Sequence, residues 1–329
     1  MIRAGLPLEV IPAGGLHGLA PWTAARNLLR LVRGFLRVWR LAADWRPDTL
    51  FVTGGFVSVP VALTCWLRRV PILVYLPDIE PGLAIRFVSQ LATRIGVTAE
   101  ASRQFFPAHK VVVTGYPVRQ ELIRVREAKN LGRTHFGLDA SRRTILVFGG
   151  SKGARSLNRA LSEVLDQVLS QWQVIHISGT MDADEAQARY EILSEGFKSR
   201  YKLFAYLHGE EMGLALAAAD VVVSRAGASV LGELPLMGLP AILVPYPFAW
   251  RYQKVNADYM VGQGVAVRLD DEKLSEGLLP TLESLLGDEA QWEAMQKRAR
   301  GLARPDAASA LARQLRALAA DRRQRTKEA

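Results

Sequence analysis

Short apolar runs alternate along the chain with segments long enough to form helices. Runs such as Ile72–Tyr75 and Val221–Ser224 are rich in β-branched residues, which is typical of strands buried on both faces. The helical segments between them predict βαβ units and therefore parallel sheets. The predicted strands are Thr49–Thr53, Ile72–Tyr75, Arg94–Thr98, Lys110–Thr114, Ile145–Phe148, Gln173–Ile177, Tyr201–Phe204, Val221–Ser224, Ala241–Val244 and Val265–Arg268.

A polar stretch divides this pattern into two sets of strands, and 329 residues suffice for two cores. We therefore predict an N-terminal domain of residues 1–120, a linker of residues 121–143 and a C-terminal domain of residues 144–329. The final helices are candidates to pack back on the N-terminal domain. The single Cys65 cannot form an intrachain disulfide, which fits a reducing compartment.

One uncharged stretch, residues 51–67, approaches the length of a membrane span. Gly54, Gly55 and Pro60 interrupt it, and Arg68 and Arg69 end it. We interpret it as a strand, a glycine turn and a short buried helix.

Charge is concentrated in the N-terminal part of the chain. Residues 1–119 contain 14 Lys and Arg against 6 Asp and Glu, so they supply +8 of the net charge of +10. Such a basic domain suggests an anionic partner, either a membrane leaflet or a nucleic acid. Nucleic acid is disfavoured because no aromatic platform or known reader motif accompanies the basic residues.

The predicted helix Ala24–Trp45 concentrates this charge. Its five arginines are spaced 4, 3, 4 and 3 residues apart, so they share one helical stripe, and Phe35 and Trp39 lie among the apolar positions. A surface helix with solvated arginines is one interpretation. The other is a helix at a membrane interface, with its arginines facing anionic headgroups. The basic positions are Arg26, Arg30, Arg33, Arg37 and Arg40.

Two glycine-bearing turns in the C-terminal half each follow a predicted strand and precede a predicted helix. Glycines at such a turn let the backbone approach a ligand, and the free N–H groups of the helix favour phosphate. In the first turn the candidate donor-binding residues are Gly149, Gly150, Ser151 and Gly153. Tight helix packing would explain this turn equally well.

The second turn adds an acidic side chain. Gly227 and Ala228 precede a predicted helix, and Glu233 lies inside it, where a carboxylate could accept hydrogen bonds from ribose hydroxyls. Compensation of the helix dipole is the alternative role. Tyr252, Gln253 and Asn256 follow the next strand and are predicted to lie at the same sheet edge.

Longer motifs surround these turns and continue into the N-terminal half. They read GGSKGARSLN, HISG, AAADVVVSRAGAS, GLPAILVPYP and YQKVNA in the C-terminal half, and RPDTLFVTGGFVSVPV, EPGLAIRF and TGYPVR before it. As a set, these motifs resemble the bacterial MurG-type N-acetylglucosaminyltransferases, which form lipid II. The resemblance covers residues 5–300, almost the whole chain.

The resemblance implies two Rossmann-like, doubly wound parallel-sheet α/β domains that face each other across a cleft, the GT-B arrangement. It implies an inverting transfer of N-acetylglucosamine from UDP-N-acetylglucosamine to a polyprenyl-pyrophosphoryl-muramoyl pentapeptide, with formation of a β-1,4 bond. No metal or other cofactor is required in that family. The expected location is the cytoplasmic face of the cell membrane, as a peripheral protein, which favours the membrane interpretation of the basic helix.

The resemblance also assigns roles by motif position. Glu233 would hold the ribose, Ser151 the phosphate region of the donor, and Gln253 the sugar. Arg119, at the end of TGYPVR, would face the donor across the cleft. The expected acceptor and cleft residues are Gly54, Gly55, Phe56, Ser58 and Asn256.

The chain departs from the family pattern in two places. The first strand and its glycine-rich loop with histidine are absent, so the N-terminal domain is expected to be incomplete, with a gap in its core where that strand would sit. Where the family has His-Glu-Gln-Asn, this chain has Tyr75-Leu76-Pro77-Asp78. Asp78 and Glu80 are then the candidate bases for the attacking hydroxyl, although loop and helix-cap roles would explain both acids equally well.

Three alternatives remain open at this point. A UDP-N-acetylglucosamine 2-epimerase would share the architecture and the nucleotide but would need no basic, apolar surface. A non-catalytic remnant would bind the UDP-sugar and transfer nothing. A related transferase could use another polyprenyl or glycolipid acceptor.

Overall fold

The computed structural model describes residue 5 and residues 7–14, 21–150, 154–248 and 252–328. Ten strands are observed in these ranges, and they match the ten predicted strands to within one or two residues at each end. They are β1 (Leu50–Val52), β2 (Ile72–Leu76), β3 (Arg94–Val97), β4 (Val111–Val113), β5 (Thr144–Phe148), β6 (Gln173–Ile177), β7 (Tyr201–Phe204), β8 (Val221–Ser224), β9 (Ala241–Leu243) and β10 (Ala266–Arg268).

Fourteen α-helices occur in the described part of the chain. They are α1 (Pro21–Trp45), α2 (Ser58–Leu67), α3 (Leu83–Leu91), α4 (Gln120–Val125), α5 (Lys129–His135), α6 (Arg155–Gln171), α7 (Ala183–Glu191), α8 (Glu195–Lys198), α9 (Gly209–Ala218), α10 (Val230–Met237), α11 (Tyr252–Gly262), α12 (Leu274–Gly287), α13 (Glu289–Leu302) and α14 (Ala307–Glu328). No helix among the described residues is long and apolar enough to cross a bilayer. Residues 51–67 form a strand, a glycine turn and a short helix, as predicted.

Two compact units make up the chain. The first contains Met1–Thr114 and Ala308–Ala329, and the second contains Gly115–Ala307. Residues 121–143, the predicted linker, lie within the second unit, where they include most of α4 and the whole of α5. Their polar composition has a structural reason, because Lys129 and Arg133 bind the buried carboxylate of Asp220 at 2.6 and 2.7 Å.

The first unit contains a four-stranded parallel sheet in the order β1-β2-β3-β4. Among the described residues these four strands are consecutive neighbours, and β1 forms an edge of the sheet. Phe51 of β1 is exposed accordingly. Helices α2 and α3 supply apolar side chains to the main core of this unit, and Leu311 and Leu318 of α14 pack with Leu73 and Tyr75 of β2.

The second unit contains a six-stranded parallel sheet in the order β10-β9-β8-β5-β6-β7. The chain therefore adds strands to one side of β5 and then to the other, which is the doubly wound pattern. The reversal falls between β5 and β8, which pair directly, with Phe148 opposite Ser224. In open α/β sheets such a switch point leaves a crevice at the carboxyl ends of the strands, and ligands bind there.

Candidate nucleotide-sugar site

Both glycine turns lie at the switch point of the second sheet. The first turn leaves β5 through Gly149 and Gly150 and leads into α6, and the second leaves β8 and leads into α10. Because β5 and β8 are neighbours, the two turns are adjacent along the carboxyl edge. Ser151 and Gly153 lie outside the described residues.

The second turn places Glu233 in the first turn of α10, with a side chain that is 12% exposed. Gly232 lets the segment after β4 pass close to this helix, since a Cβ at that position would lie 2.7 Å from the Cβ of Tyr116. The same segment carries Arg119, whose Nη2 lies 3.6 Å from Oε1 of Glu233. Arg119 is therefore not positioned opposite the second unit, as the sequence predicted, but belongs to it and pairs with Glu233.

Burial determines the electrostatics of Glu233. Removal from water raises the pKa of its carboxyl above the ordinary value, and Arg119 and a hydrogen bond from Ser229 partly oppose that increase. The carboxylate is thus a poorly solvated acceptor with a guanidinium beside it. Such a group can accept hydrogen bonds from two vicinal hydroxyls, because each carboxylate oxygen has two lone pairs.

The residues after β9 hold the second turn in place. Asn256 is fully buried and donates from Nδ2 to the carbonyl of Ala226 at 3.1 Å. Gln253 accepts a hydrogen bond from the backbone N–H of Tyr246 at 2.8 Å through Oε1. Tyr252 is half-buried at the start of α11. Asn256 was predicted as an acceptor or cleft residue, and its observed hydrogen bond stabilises the second glycine turn.

A buried polar chain joins α6 to β6 and β7. His176 Nε2 lies 3.0 Å from Asn158 Oδ1 and its Nδ1 lies 2.6 Å from the Tyr201 hydroxyl. Asn158 donates from Nδ2 to Asp182 at 2.9 Å, and Arg155 Nε donates to the same carboxylate at 3.0 Å. Burial lowers the pKa of His176 to about 4, with Asp182 opposing the decrease, so the imidazole is neutral at pH 7.

The tautomer of His176 follows from these partners. Asn158 uses its amide protons on acceptor groups, so its Oδ1 must receive the proton of Nε2. Nδ1 then accepts from Tyr201. The motif HISG was visible in the sequence, but the partners of its histidine on two other elements, α6 and β7, were not.

A second network lies on the other side of α6. Arg225, the residue after β8, forms an ion pair with Asp271 and donates from Nη2 to Ser156 Oγ at 2.7 Å. Ser156 donates in turn to Asp271 at 2.8 Å. The Arg225 guanidinium also lies 5.3 Å from the centre of the Tyr246 ring, within the range of a cation–π contact. Sequence reasoning did not find this network, because its members are far apart along the chain.

The predicted residues of the first unit form a turn after β1. Gly54 and Gly55 have φ angles of 119° and 80°, in the left-handed region that glycine tolerates. Ser58 is buried and donates to the carbonyl of Gly55 at 2.6 Å, so its hydroxyl closes the turn. Phe56 is exposed beside it.

The two candidate bases follow β2 in the first unit. Asp78 is half-buried, whereas Glu80 is buried and pairs with Arg86 at 3.0 Å. The ion pair gives Glu80 a structural role in its loop. The structure brings both acids to the carboxyl end of β2, and their role as base stays a prediction.

Helix α1 has three different faces. One face is buried and includes Val38 and Ala42, with Phe35 half-buried next to it. The five arginines are exposed on a second face. Exposed apolar side chains form the third, together with Trp66 and Leu67 of α2, with which α1 packs. We call this third face with its α2 residues the apolar surface: Leu29, Val32, Leu36, Trp39, Trp66 and Leu67.

A doubly wound parallel sheet with two glycine turns and a buried carboxylate at its switch point is typical of a nucleotide-binding unit. Family models agree with this class. The glycosyltransferase family 28 C-terminal domain matches residues 144–311, and the N-terminal domain of the same family matches residues 2–97. The chain belongs to glycosyltransferase family 28.

Similar proteins of known name help to distinguish the transferase from the epimerase alternative. The chain is 40% identical to the UDP-N-acetylglucosamine--N-acetylmuramyl-(pentapeptide) pyrophosphoryl-undecaprenol N-acetylglucosamine transferase of Roseiflexus sp. (strain RS-1), over 94% of this chain and 78% of that protein. The crystal structure of Acinetobacter baumannii MurG has a TM-score of 0.74 at 22% identity, covering 96% of this chain and 86% of that chain.

A UDP-GlcNAc 2-epimerase from Neisseria meningitidis bound to UDP-GlcNAc has a TM-score of 0.63 at 14% identity, covering 91% of this chain and 84% of that chain. Both structural similarities establish the fold alone. The sequence similarity is to a transferase, and it disfavours the epimerase alternative.

Proposed function

We propose that this protein transfers N-acetylglucosamine from UDP-N-acetylglucosamine to a polyprenyl-pyrophosphoryl-muramoyl pentapeptide. The observation that carries the proposal is the 40% identity, over nearly the whole chain, to a transferase with that donor and acceptor in its name. The geometry of the second unit supports it. Glu233 supplies a carboxylate for the ribose, and the two adjacent turns supply N–H groups for the diphosphate.

The reaction needs no cofactor in this proposal. A hydroxyl oxygen of the acceptor attacks the anomeric carbon, the bond from that carbon to the phosphate oxygen breaks, and UDP leaves with the electron pair. The hydroxyl proton passes to a base, for which Asp78 and Glu80 are the candidates. The cationic Arg119 and the N–H groups of the turns stabilise the charge that develops on the diphosphate.

The acceptor has a lipid chain, and the first unit offers a surface for a membrane. The arginine face of α1 attracts anionic headgroups at about 1 kcal/mol for each residue near the surface. The apolar surface beside it can enter the headgroup region, as amphipathic interfacial helices do. The protein then acts as a peripheral protein at the cytoplasmic face of the membrane.

The test of the reaction is a transfer assay with labelled UDP-N-acetylglucosamine and a lipid-linked muramoyl pentapeptide. We expect a labelled disaccharide lipid, unchanged yield in EDTA, and loss of donor binding and product in Glu233→Ala. Glu195→Ala is the matched control, because Glu195 is an exposed acid in the first turn of α8. Donor binding by Glu233→Ala equal to that of the wild type would contradict the proposed site.

The same assay distinguishes the alternatives. Conversion of the donor to its 2-epimer without acceptor would establish the epimerase, and donor binding with no product would establish the remnant. Transfer only to a different glycolipid would change the acceptor and leave the donor site unaffected.

Vesicle co-sedimentation tests the membrane surface. We expect binding to vesicles with anionic lipid, weaker binding to zwitterionic vesicles, and a loss in the double variant Arg30→Gln with Arg33→Gln. The control is Arg124→Gln with Lys297→Gln, which removes two exposed charges from the second unit. Equal losses in the two double variants would indicate an effect of net charge alone.

A further inference from the structure

At the N-cap position of α6, among the described residues, no side chain caps the N–H groups of the first turn. Ala154 precedes the helix and offers only a methyl group, and the first turn contains no acidic residue. The initial N–H groups of a helix have no partner within the helix, so they can donate to an anion. In the proposed function they donate to the diphosphate of UDP. The direction in which these N–H groups point depends on the side chains that hold the first turn of α6 in place.

One carboxylate holds the turn from the side of β6. Asp182 accepts from Arg155 through Oδ1 at 3.0 Å and from Asn158 through Oδ2 at 2.9 Å. Asn158 is held in turn by the carbonyl of Ser178 at 2.8 Å and by His176. Asp182 stands at the N-cap position of α7 but makes no capping bond to that helix. An aspartate at an N-cap ordinarily caps its own helix, whereas this one binds α6 with both oxygens.

Another carboxylate holds the same turn from the side of β8 and β10, on the other side of β5 from β6. Asp271, which follows β10, accepts from Ser156 at 2.8 Å, and Arg225 after β8 binds both of them. Arg225 is 9% exposed, so this ion pair is largely desolvated. Residues 155, 156 and 158 are therefore each tied to a fixed carboxylate, two from one side and one from the other.

We propose that Asp182 and Asp271 are positioning residues of the diphosphate subsite, which hold the first turn of α6 from both sides and aim its N–H groups at the donor. The proposal rests on the proposed function, since it needs UDP at this edge. Neither carboxylate touches the ligand in this arrangement. Both act through α6, and their effect is limited to the part of the ligand that α6 binds.

Because the effect is limited to the diphosphate part of the ligand, a ligand without phosphates provides the test. We would measure the dissociation constants of UDP and of uridine, by calorimetry and by NMR titration, for the wild type, Asp182→Asn and Asp271→Asn. UDP should bind on the order of tenfold more weakly to each variant, equivalent to about 1.4 kcal/mol, while uridine affinity stays within about twofold. A merely structural role would weaken both ligands equally.

Asp166→Asn is the matched control. Asp166 lies on the same helix and pairs with Arg189 at 2.9 Å, but it is exposed and lies three turns beyond the first. It should change neither constant. If Asp271→Asn does not fold, Ser156→Ala removes the same contact with a smaller change and should also affect UDP selectively.

Equal losses for UDP and uridine, or unchanged UDP binding in the variants, would overturn the inference while leaving the proposed function intact. Absence of UDP binding by the wild type would instead contradict the proposed function, and the inference with it.

Discussion

The two sheets differ most at their carboxyl edges. The second sheet reverses its winding between β5 and β8, and buried polar groups stand there in fixed networks around Asp182, Asp271 and Glu233. The described strands of the first sheet run in simple order without a reversal. Its turn after β1 is closed by its own Ser58, and its unit exposes arginines and apolar side chains on α1.

In the proposed function this difference corresponds to two kinds of ligand, a nucleotide and a membrane. A nucleotide diphosphate is small, polar and charged, so its site needs polar groups that are desolvated and oriented before binding. A lipid surface has no fixed shape, so a broad face with apolar side chains and cations suffices. Four predictions test this contrast, from the largest expected effect to the smallest.

Asp220→Ala should destabilise the second unit by about 3–5 kcal/mol, because removal of the carboxylate leaves the buried guanidinium of Arg133 without compensation. Asp220 is 1% exposed and also accepts from the backbone N–H of Thr144 at 2.7 Å. The measurement is unfolding in denaturant. The matched control, Asp48→Ala, removes a surface pair with Arg323 in the first unit and should have a much smaller effect. Similar losses of unfolding free energy in the two variants would contradict the contrast between buried, fixed polar groups in the second unit and exposed ones in the first.

Acid should destabilise the protein through His176. Its pKa is about 4 in the folded state and about 6.5 in an unfolded chain, so between these values only the unfolded chain takes up the proton. The contribution of neutral His176 to the free energy of unfolding is fully present above pH 6.5 and is lost as the pH falls toward 4. At 1.36 kcal/mol for each unit of pKa difference, the total loss is about 3 kcal/mol. Unfolding free energies measured across this range should fall less steeply in His176→Gln. The same slope in both proteins would exclude His176 as the cause.

Glu233→Gln should weaken UDP-N-acetylglucosamine binding by about 2 kcal/mol, the contribution of a hydrogen bond to a charged group. Its thermal stability should not fall, because burial of the ionised carboxylate is unfavourable, as its raised pKa indicates. For the same reason, wild-type binding should decrease with falling pH while the pH is still above the ordinary pKa of glutamate. Calorimetry and thermal unfolding measure both effects. A loss of stability with unchanged affinity would assign Glu233 to the fold rather than to the ligand.

Leu36→Ser should weaken binding to anionic vesicles by about 1 kcal/mol and leave folding intact, because this side chain is already exposed. Leu131→Ser is the control, since Leu131 is equally exposed but lies on α5 in the second unit. Co-sedimentation at several lipid concentrations gives both partition constants. Equal decreases would show that exposed leucines bind lipid regardless of their place in the structure.

The sequence was sufficient for the elements and for the strongest local signals. Each strand is a short run rich in β-branched, aromatic or other apolar residues, so its position follows from local composition. The glycine turns follow from backbone freedom that only glycine provides. The position of Glu233 in the helix after the second turn could also be predicted, because its spacing from Gly227 is a local property.

Sequence reasoning was less successful wherever residues far apart along the chain meet. Arg119 was expected opposite the donor site, yet Gly232 and Tyr116 bring its segment against α10 in the same unit. Residues 121–143 were expected to be a linker because they are polar, whereas the buried Asp220 accounts for part of that polarity. The exposed apolar residues of α1 could not be separated from its buried ones, because both occur at helical spacing and only packing against α2 distinguishes them.

The sequence by itself therefore determined the strands, the helices, the two turns and the family, all of which depend on residues close together in the chain or on motifs read in order. The tertiary structure alone decided that Asp182 and Asp271 hold the same turn of α6 from opposite sides, and that Arg119 pairs with Glu233. The physical reason is that hydrogen bonds and ion pairs act over roughly 3–4 Å in space. Residues separated by 27, 115 and 114 positions come within that distance only after the sheet has assembled.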